Sequence, residues 1–517
     1  MEDRRLDSVF EYWTHRIERH PLHAWLEDFD DDDDPSDRLA FALYFLNFIM
    51  YFRELNLYHI KYESPSTALE EALRHHALED HTHSRLFMLD VRRLGWSDKL
   101  QMNASQTLYW LFTDPANEGL RRRTTRITKA VIGATSPAVR HAVVEAIEIC
   151  GNALFRHTQR IAETHEQRTG VRLLYWGQHH LERESGHAIE VTPGALDDLA
   201  SMTDEEVHLA ISLATDVFEV IEEQNSAMLL QATTARSRHG LITSAAFNMP
   251  DIDPPSARLE ETPAIDYLPS KTSPHQHLVR HLDDLRRRIA QHPVLHEVRQ
   301  PSSPDETSNL LRLALLSFAT DSTGTSTVYS SMVSYRWPVS DAERAINRLC
   351  SQFGRRTQFV YVDWHQLDLD RVLGWDFGRT LDFIYLDRYT EPYRDLRAVI
   401  THYIDRYDSP AIRYWVIVAL KSLSAVYADA FCSLARNAET TLGIHLPYLA
   451  LWANPSPAVL NDDPDAANIR FDHLGLSNEE MTVIEKMLNE VALGIEARLD
   501  GMTSAQLEDV MSIESVH

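Results

Sequence analysis

Cysteine, glycine and positive charge are all scarce in this chain of 517 residues. It holds three cysteines and 17 glycines, and 50 Lys and Arg residues stand against 77 Asp and Glu residues, for a net charge of −27. Three widely separated cysteines argue against disulfide bonds and thiolate zinc sites, and they predict a reducing environment. The excess negative charge repels phosphate backbones and therefore argues against a nucleic-acid partner.

Long apolar runs are missing as well. The apolar stretch "LAFALYFLNFIMYF", residues 39–52, falls short of a membrane span and is typical of a buried helix, since a span takes ~20 residues. The first residues, "MEDRRLDSVFEYW", lack the apolar segment of a signal peptide. We therefore expect a cytoplasmic protein with no membrane partner.

Helical periodicity is what the chain has in abundance. Apolar residues recur every three to four positions in residues 141–167 and 204–232, a spacing typical of amphipathic helices. Thr203 and Glu206 have the spacing of a capping box at the start of the second segment. Strand-like alternation is rare, so the sequence predicts an all-α fold.

The same pattern occurs twice, on either side of a proline-rich segment. "SPAVRHAVVEA" begins at Ser136 and "SPAIRYWVIVA" begins at Ser409, 273 positions later, and other matches keep their order at nearly this offset. A constant offset indicates tandem duplication of one helical domain. The predicted organisation is a first domain, a Pro-rich linker and a second domain, at residues 1–235, 236–275 and 276–510.

The two copies share apolar positions but not a group of polar ones. Tyr175 of the first copy matches Tyr448 of the second, and most apolar positions of the long helices are kept in the same way. Residues that the fold requires should survive in both copies, so polar residues kept in one copy indicate chemistry confined to that copy. The polar positions that change are Glu148 to Lys421, His180 to Ala453, Glu184 to Pro457 and His187 to Leu460.

The densest donor group lies in "HLERESGH", residues 180–187. His180, Glu184 and His187 are spaced by four and then three residues, which puts them within a stripe of about 60° on one helix face. Two imidazoles and a carboxylate on one face can bind a divalent metal ion.

Two further donor groups precede it. In "HHALEDHTH", residues 75–83, either Glu79 or Asp80 shares a helix face with His83. Glu148 lies within an apolar helix, where a carboxylate is costly unless it is paired or binds a metal. Three carboxylates and three histidines can hold two ions. Ligation by oxygen and imidazole without thiolate favours iron or manganese, with zinc as an alternative.

At this point residues 5–235 resemble the heme-oxygenase-like diiron oxidases, often called iron-containing redox enzymes. That family carries a His, an acid four residues on and a His three further, as residues 180–187 do. Its middle helix carries one Glu, which Glu148 matches, and its first core helix carries an acid shortly before a His. For that acid we favour Glu79 and keep Asp80 as the alternative.

The resemblance implies a heme-oxygenase-like fold and a dioxygen-dependent, non-heme diiron oxidase or oxygenase. The substrate would be a small metabolite of specialised metabolism, such as an amino acid, an amine or a fatty-acid-like compound. The reaction would be N-oxygenation, hydroxylation, desaturation or C–C cleavage, with electrons from an external donor or from the substrate. The second copy would be a degenerate domain that forms a pseudo-dimer with the first, and a higher oligomer stays open. The two iron ions, Fe(II) or Fe(III), would be bound by Glu79 or Asp80, His83, Glu148, His180, Glu184 and His187.

Two other functions fit parts of the sequence. A non-catalytic helical scaffold accounts for the acidity and the degenerate copy, but not for the concentration of donors in one copy. A thiaminase-like hydrolase of the same fold uses a Cys nucleophile, for which Cys150 is the candidate. Cys150 lies inside a helix, where cysteine is typically a packing residue.

Overall fold

The structure is a computed structural model, and the residues it describes form helices and no strand. The predicted all-α fold is therefore confirmed for this part of the chain. The described residues are 4–30, 32–180, 199, 201–236, 276–299, 301, 303–327, 333–335, 337–354, 359–452 and 475–502.

In the first half, most of the described chain is α-helical. Short 3-10 helices occupy Ala40–Phe45 and Pro115–Asn117, and a π-helix occupies Leu55–Ile60. The α-helices are Arg4–Glu18, Pro21–Glu27, Pro35–Leu39, Leu46–Glu54, Ala68–Asp80, His83–Arg93, Trp96–Leu100, Ala104–Phe112, Glu118–Gly133, Pro137–Thr169 and Asp204–Arg236.

The second half has a similar series of helices. A 3-10 helix occupies Arg388–Thr390. The α-helices are Gln276–Ala290, Pro293–Arg299, Pro304–Thr327, Asp341–Gly354, Val360–Gln366, Leu369–Leu373, Phe377–Tyr385, Glu391–Arg406, Pro410–Leu442, Pro447–Trp452 and Asn478–Asp500.

The two longest matched helices begin and end at equivalent residues. Pro137–Thr169 and Pro410–Leu442 have 33 residues each, and their first residues lie 273 positions apart. Each has proline in its first turn, where the missing N–H is not needed. Each ends at a glycine in the left-handed region, Gly170 with φ 72° and Gly443 with φ 68°, as helix C-termini commonly do.

One helix of the described chain is long and apolar enough to cross a membrane by length and composition. It is Pro410–Leu442, and 67% of its most apolar window is buried inside the structure. Such burial is typical of a core helix, and a core helix passes the same test, so this is weak evidence for a membrane span.

The chain divides into two compact units, and each takes one helix from the opposite half of the sequence. The first unit contains Phe377–Tyr385 and the second contains Ala104–Phe112, helices whose first residues lie 273 positions apart. Each unit therefore contains, from the opposite half of the sequence, the counterpart of the helix that the other unit contains. The first unit is Met1–Met102, Pro115–Asn248 and Asp376–Tyr385, and the second is Asn103–Asp114, Met249–Trp375 and Leu386–His517.

Within the first unit, the acquired helix Phe377–Tyr385 is held by polar contacts. The Arg92 guanidinium donates to the Asp382 carboxylate, and the Gly378 backbone N–H donates to Ser97 Oγ at 2.9 Å. A Cβ atom at Gly378 would lie 2.8 Å from Ser97 Oγ, so this close approach requires glycine.

Within the second unit, the acquired helix Ala104–Phe112 is held at the equivalent place. The Ser105 backbone N–H donates to Asp370 Oδ1 at 2.9 Å, and its hydroxyl donates to Asp370 Oδ2 at 2.6 Å. Ser105 matches Gly378 and Asp370 matches Ser97 at the 273-residue offset. In both units, therefore, an equivalent backbone N–H group anchors the acquired helix.

Helix Asp204–Arg236 ends and helix Gln276–Ala290 begins at the two edges of the predicted linker, and residues 237–275 lie outside the described part of the chain. The predicted domains are continuous in sequence, whereas each of the two units also contains a helix from the other half of the chain.

The core of the first unit forms where three helices meet. Trp13 from Arg4–Glu18 stacks on Phe218 from Asp204–Arg236, with ring centroids 5.5 Å apart and planes within 6°. Pro137–Thr169 packs against both helices through alanine and valine side chains that are buried in the same cluster. Burial of each large apolar side chain stabilises the unit by about 2 kcal/mol. This packing fixes the helix that carries Glu148.

Candidate metal centre

Helix Ala68–Asp80 presents a buried face that ends in polar residues. Thr67 caps its start by accepting the Glu70 N–H at 3.2 Å. The buried residues then follow the three-to-four spacing of a helix face, so the chain carries the last two polar side chains inward with the apolar ones. These buried residues are Leu69, Ala72, Leu73, His76, Ala77 and Asp80.

His76, Asp80 and Glu148 form a compact donor cluster. His76 Nε2 lies 3.1 Å from Asp80 Oδ2 and 3.6 Å from Glu148 Oε1. One ligand atom from each of the three residues falls within 4.8 Å of the other two. Atoms that share one metal ion at about 2.1 Å each lie about 3–4 Å apart, so this donor set fits a divalent ion.

His83 and His180 lie on the other side of Asp80. His83 Nε2 is 3.9 Å from Asp80 Oδ1, and the His83 and His180 rings have centroids 4.3 Å apart. The side chains of Asp80, His83 and His180 are all almost fully buried. Asp80 therefore faces two histidines with different carboxylate oxygens, His76 with Oδ2 and His83 with Oδ1.

The orientation of His180 is set by the chain just before it. His180 Nδ1 lies 2.8 Å from the Tyr175 carbonyl oxygen. A carbonyl only accepts, so Nδ1 carries the proton and the imidazole lone pair is on Nε2, the atom suited to a metal.

Asp90 fixes the segment that carries Tyr175. Its carboxylate accepts the backbone N–H groups of Leu174, Tyr175 and Trp176 at 2.9, 2.7 and 3.3 Å. Burial raises the pKa of Asp90 to about 6, although the three N–H groups oppose that rise. Asp90 lies on the same helix as His83. This helix therefore both carries His83 and supports the segment that orients His180.

Glu148 projects from the middle of Pro137–Thr169 with 14% of its side chain exposed. Glu145, one turn earlier, is exposed. His141 lies two turns before Glu148, and burial together with the nearby His76 lowers the pKa of His141 to about 4. His141 is therefore a neutral imidazole at pH 7, close to the donor cluster.

The two predicted acids of the first helix differ in burial. Asp80 is fully buried in the cluster, whereas Glu79, which the sequence analysis favoured, is exposed. Adjacent residues on a helix differ by about 100° in direction, so only one of them can face the interior here. Of the other predicted ligands, His83, Glu148 and His180 lie around Asp80, while Glu184 and His187 lie outside the described residues.

Sequence reasoning missed His76. A signal for it was present, because His76, Asp80 and His83 repeat the four-then-three spacing of His180, Glu184 and His187.

A cavity of about 60 Å³ adjoins the cluster. It offers room for a few water-sized groups. Most of its wall is apolar, and the polar exceptions among the described residues include the three donors that face it. Its lining includes Phe45, Phe48, Phe52, Phe155, Ile221 and Tyr175, with His83, Glu148, His180 and Asn225.

The second unit has different chemistry at the matching positions. Leu349 and Lys421 stand 273 positions after His76 and Glu148, and Leu349 is buried. A buried leucine and a cationic lysine cannot form the donor cluster of the first unit.

The chain matches no known protein family, and no curated protein matches it either.

Proposed function

We propose that this protein is a dioxygen-dependent, non-heme diiron oxidase or oxygenase that acts on a small metabolite. The observation that carries the proposal is the buried cluster of histidines and carboxylates in the first unit, whose counterparts Leu349 and Lys421 in the second unit offer no such donors. A fully buried carboxylate, Asp80, and a largely buried one, Glu148, lie beside imidazoles, and such a donor set is typical of divalent metal sites.

The metal would be held by donors from several helices. Asp80 rather than Glu79 is the acid of the first group, with His83, Glu148 and His180, and the sequence resemblance adds Glu184 and His187. Bound iron would supply dioxygen activation and electron transfer. Imidazole and carboxylate ligands without thiolate suit iron.

The protein's own groups would orient the donors and exclude water. Asp90 holds residues 174–176 through three N–H groups, and Tyr175 in turn sets the His180 tautomer. Outer contacts of this kind support ligand geometry and metal affinity. The phenylalanine-rich cavity wall favours an apolar part of the substrate next to the donors.

The remaining features belong to the same proposal. The two units would be heme-oxygenase-like bundles that form a pseudo-dimer, with only the first catalytic. Electrons would come from an external donor or from the substrate, in the cytoplasm, as part of specialised metabolism.

The thiaminase-like alternative requires a reactive thiolate. Burial raises the pKa of Cys150 well above its ordinary value, so this thiol stays protonated at neutral pH and is a poor nucleophile. This observation favours the oxidase over the hydrolase.

Anaerobic titration of the full-length protein with Fe(II), followed by dioxygen, tests the proposal. We expect two iron ions per chain, measured by plasma mass spectrometry, and dioxygen consumption that needs bound iron. A chain that takes up no metal would support the scaffold function instead. The variant Lys421→Ala is the matched control, because its iron content should equal that of the wild type.

A further inference from the structure

We propose that His76 is a metal donor, that it forms one metal position with Asp80 and Glu148, and that Asp80 shares its second oxygen with another position at His83 and His180. This inference rests on the proposed function for the presence of metal, but it assigns a donor outside the predicted ligand set. It also assigns each donor of the described residues to one of two positions.

The first position follows from the distances around His76. Its Nε2 atom is 3.1 Å from Asp80 Oδ2 and 3.6 Å from Glu148 Oε1, separations suited to ligands of one ion. His76 and Asp80 lie four residues apart on one helix face, so their relative position is fixed by the backbone.

The second position follows from the other side of Asp80. Asp80 Oδ1, rather than Oδ2, faces His83 Nε2 at 3.9 Å, and the His83 ring lies 4.3 Å from that of His180. A carboxylate whose two oxygens face two sets of imidazoles can bridge two ions about 3.5–4 Å apart. Asp80 is fully buried, so the shared carboxylate itself is shielded from bulk water.

A purely structural role for His76 does not account for the comparison between units. The fold holds a buried leucine, Leu349, at the matching position of the second unit. In that unit Lys421 replaces the carboxylate that His76 faces in the first. Histidine and glutamate are thus present together in one unit and replaced together in the other.

The test is metal stoichiometry of the full-length protein with Co(II), which needs no dioxygen. The wild type should bind two Co(II) ions per chain in an absorption titration checked by mass spectrometry. His76→Leu, which installs the residue of the second unit, should bind one. His75→Leu is the matched control on the same helix, because His75 is exposed and pairs with Glu71, and it should bind two.

His83→Leu removes a donor of the other position and should also leave one ion, while Asp80→Asn should weaken both. Two ions in His76→Leu would overturn the inference, and so would the loss of both ions with an unchanged melting temperature. If His76→Leu does not fold, His76→Gln keeps a polar side chain of similar length and carries the same expectation.

The outcomes separate this inference from the proposed function. Two Co(II) ions in the wild type and one in His76→Leu would support the assignment of His76. If the iron-loaded wild type nevertheless consumed no dioxygen, the oxidase function alone would fail. A wild-type chain that bound no ion would overturn both.

Discussion

Two buried aspartates show what the two units have in common. Asp90 accepts the N–H groups of residues 174–176, and Asp363, its counterpart 273 positions on, accepts those of Tyr448 at 3.0 Å and Leu449 at 2.8 Å. Both are fully buried. A buried carboxyl group that ties a helix to a segment distant in sequence is thus kept in both units.

The donor cluster behaves in the opposite way. His76 and Glu148 are replaced by Leu349 and Lys421 in the second unit, although the helices that carry them are kept. The difference separates polar groups that the fold needs from polar groups that it does not need. Buried polar groups of the second kind point to function.

Replacing the central carboxylate of the first unit by its counterpart should have the largest effect. Glu148→Lys places an ammonium group beside His76 and should lower metal affinity by more than about 100-fold, since loss of outer contacts alone costs about 10–100-fold. Calorimetric titration with Co(II) measures it. The reverse change, Lys421→Glu, should neither add nor remove a metal ion, and a gain of metal there would contradict the distinction between the units.

Replacing either of the two matched aspartates should destabilise its own unit, but only the replacement of Asp90 should also weaken metal binding. Asp90→Ala and Asp363→Ala each leave buried N–H groups without their acceptor and should lower the free energy of unfolding by about 3 kcal/mol. Asp90→Ala should also weaken metal binding, because Tyr175 and His180 lose their support. Denaturant melts and metal titrations of the two variants make the comparison, and equal metal affinity in both would refute a positioning role for Asp90.

The pH dependence of stability should differ between the two aspartates. Burial raises the pKa of Asp363 to about 8 and that of Asp90 to about 6, from an ordinary 3.8. Asp90 accepts three N–H groups and Asp363 two, which accounts for the smaller rise at Asp90. A raised pKa means that the folded state holds the proton more tightly. Each carboxyl thus contributes stability that is complete below about pH 4 and is lost as the pH rises through its folded pKa.

The free energy of unfolding should therefore fall between pH 4 and 8 because of Asp363, and more steeply between pH 4 and 6 because Asp90 contributes there as well. Denaturant titrations at several pH values measure both slopes. Asp363→Asn should flatten the range from pH 6 to 8 and reduce the slope below it, whereas Asp90→Asn should reduce only the slope between pH 4 and 6. An unchanged upper slope in Asp363→Asn would contradict the assignment.

Helix caps should give the smallest effect and the same one in both units. Thr203 accepts the Glu206 N–H at 3.2 Å, as the sequence predicts, and Ser477 accepts the Glu480 N–H at 3.1 Å. Thr203→Ala and Ser477→Ala should each cost about 1 kcal/mol, with metal binding unchanged. Thermal melts can compare them, and a clearly larger loss in one variant would show that the two caps are not equivalent.

The sequence predicts the helices and the repeat, because apolar periodicity indicates helices and a constant offset indicates which helices correspond. It predicts that Glu148 and His83 belong to one donor group, and the structure brings both next to Asp80. It could not choose Asp80 over Glu79, since the direction of a helix face depends on tertiary packing. His76 and His75 pose the same problem, and only burial separates them.

The exchanged helices were beyond the reach of the sequence for a different reason. Ala104–Phe112 and Phe377–Tyr385 are counterparts in the repeat, so each has a pattern that suits either unit. Periodicity shows that a helix forms there, but not which unit it joins. That choice depends on contacts such as those of Gly378 with Ser97 and of Ser105 with Asp370.

The reciprocal placement of these two helices also constrains how the gene can evolve. A break anywhere in the linker would yield two polypeptides, each missing a segment that the other encodes. Deleting the second half would thus remove Phe377–Tyr385 from the unit that carries the donor cluster. The half without the donor cluster therefore supplies a helix to the unit that has it.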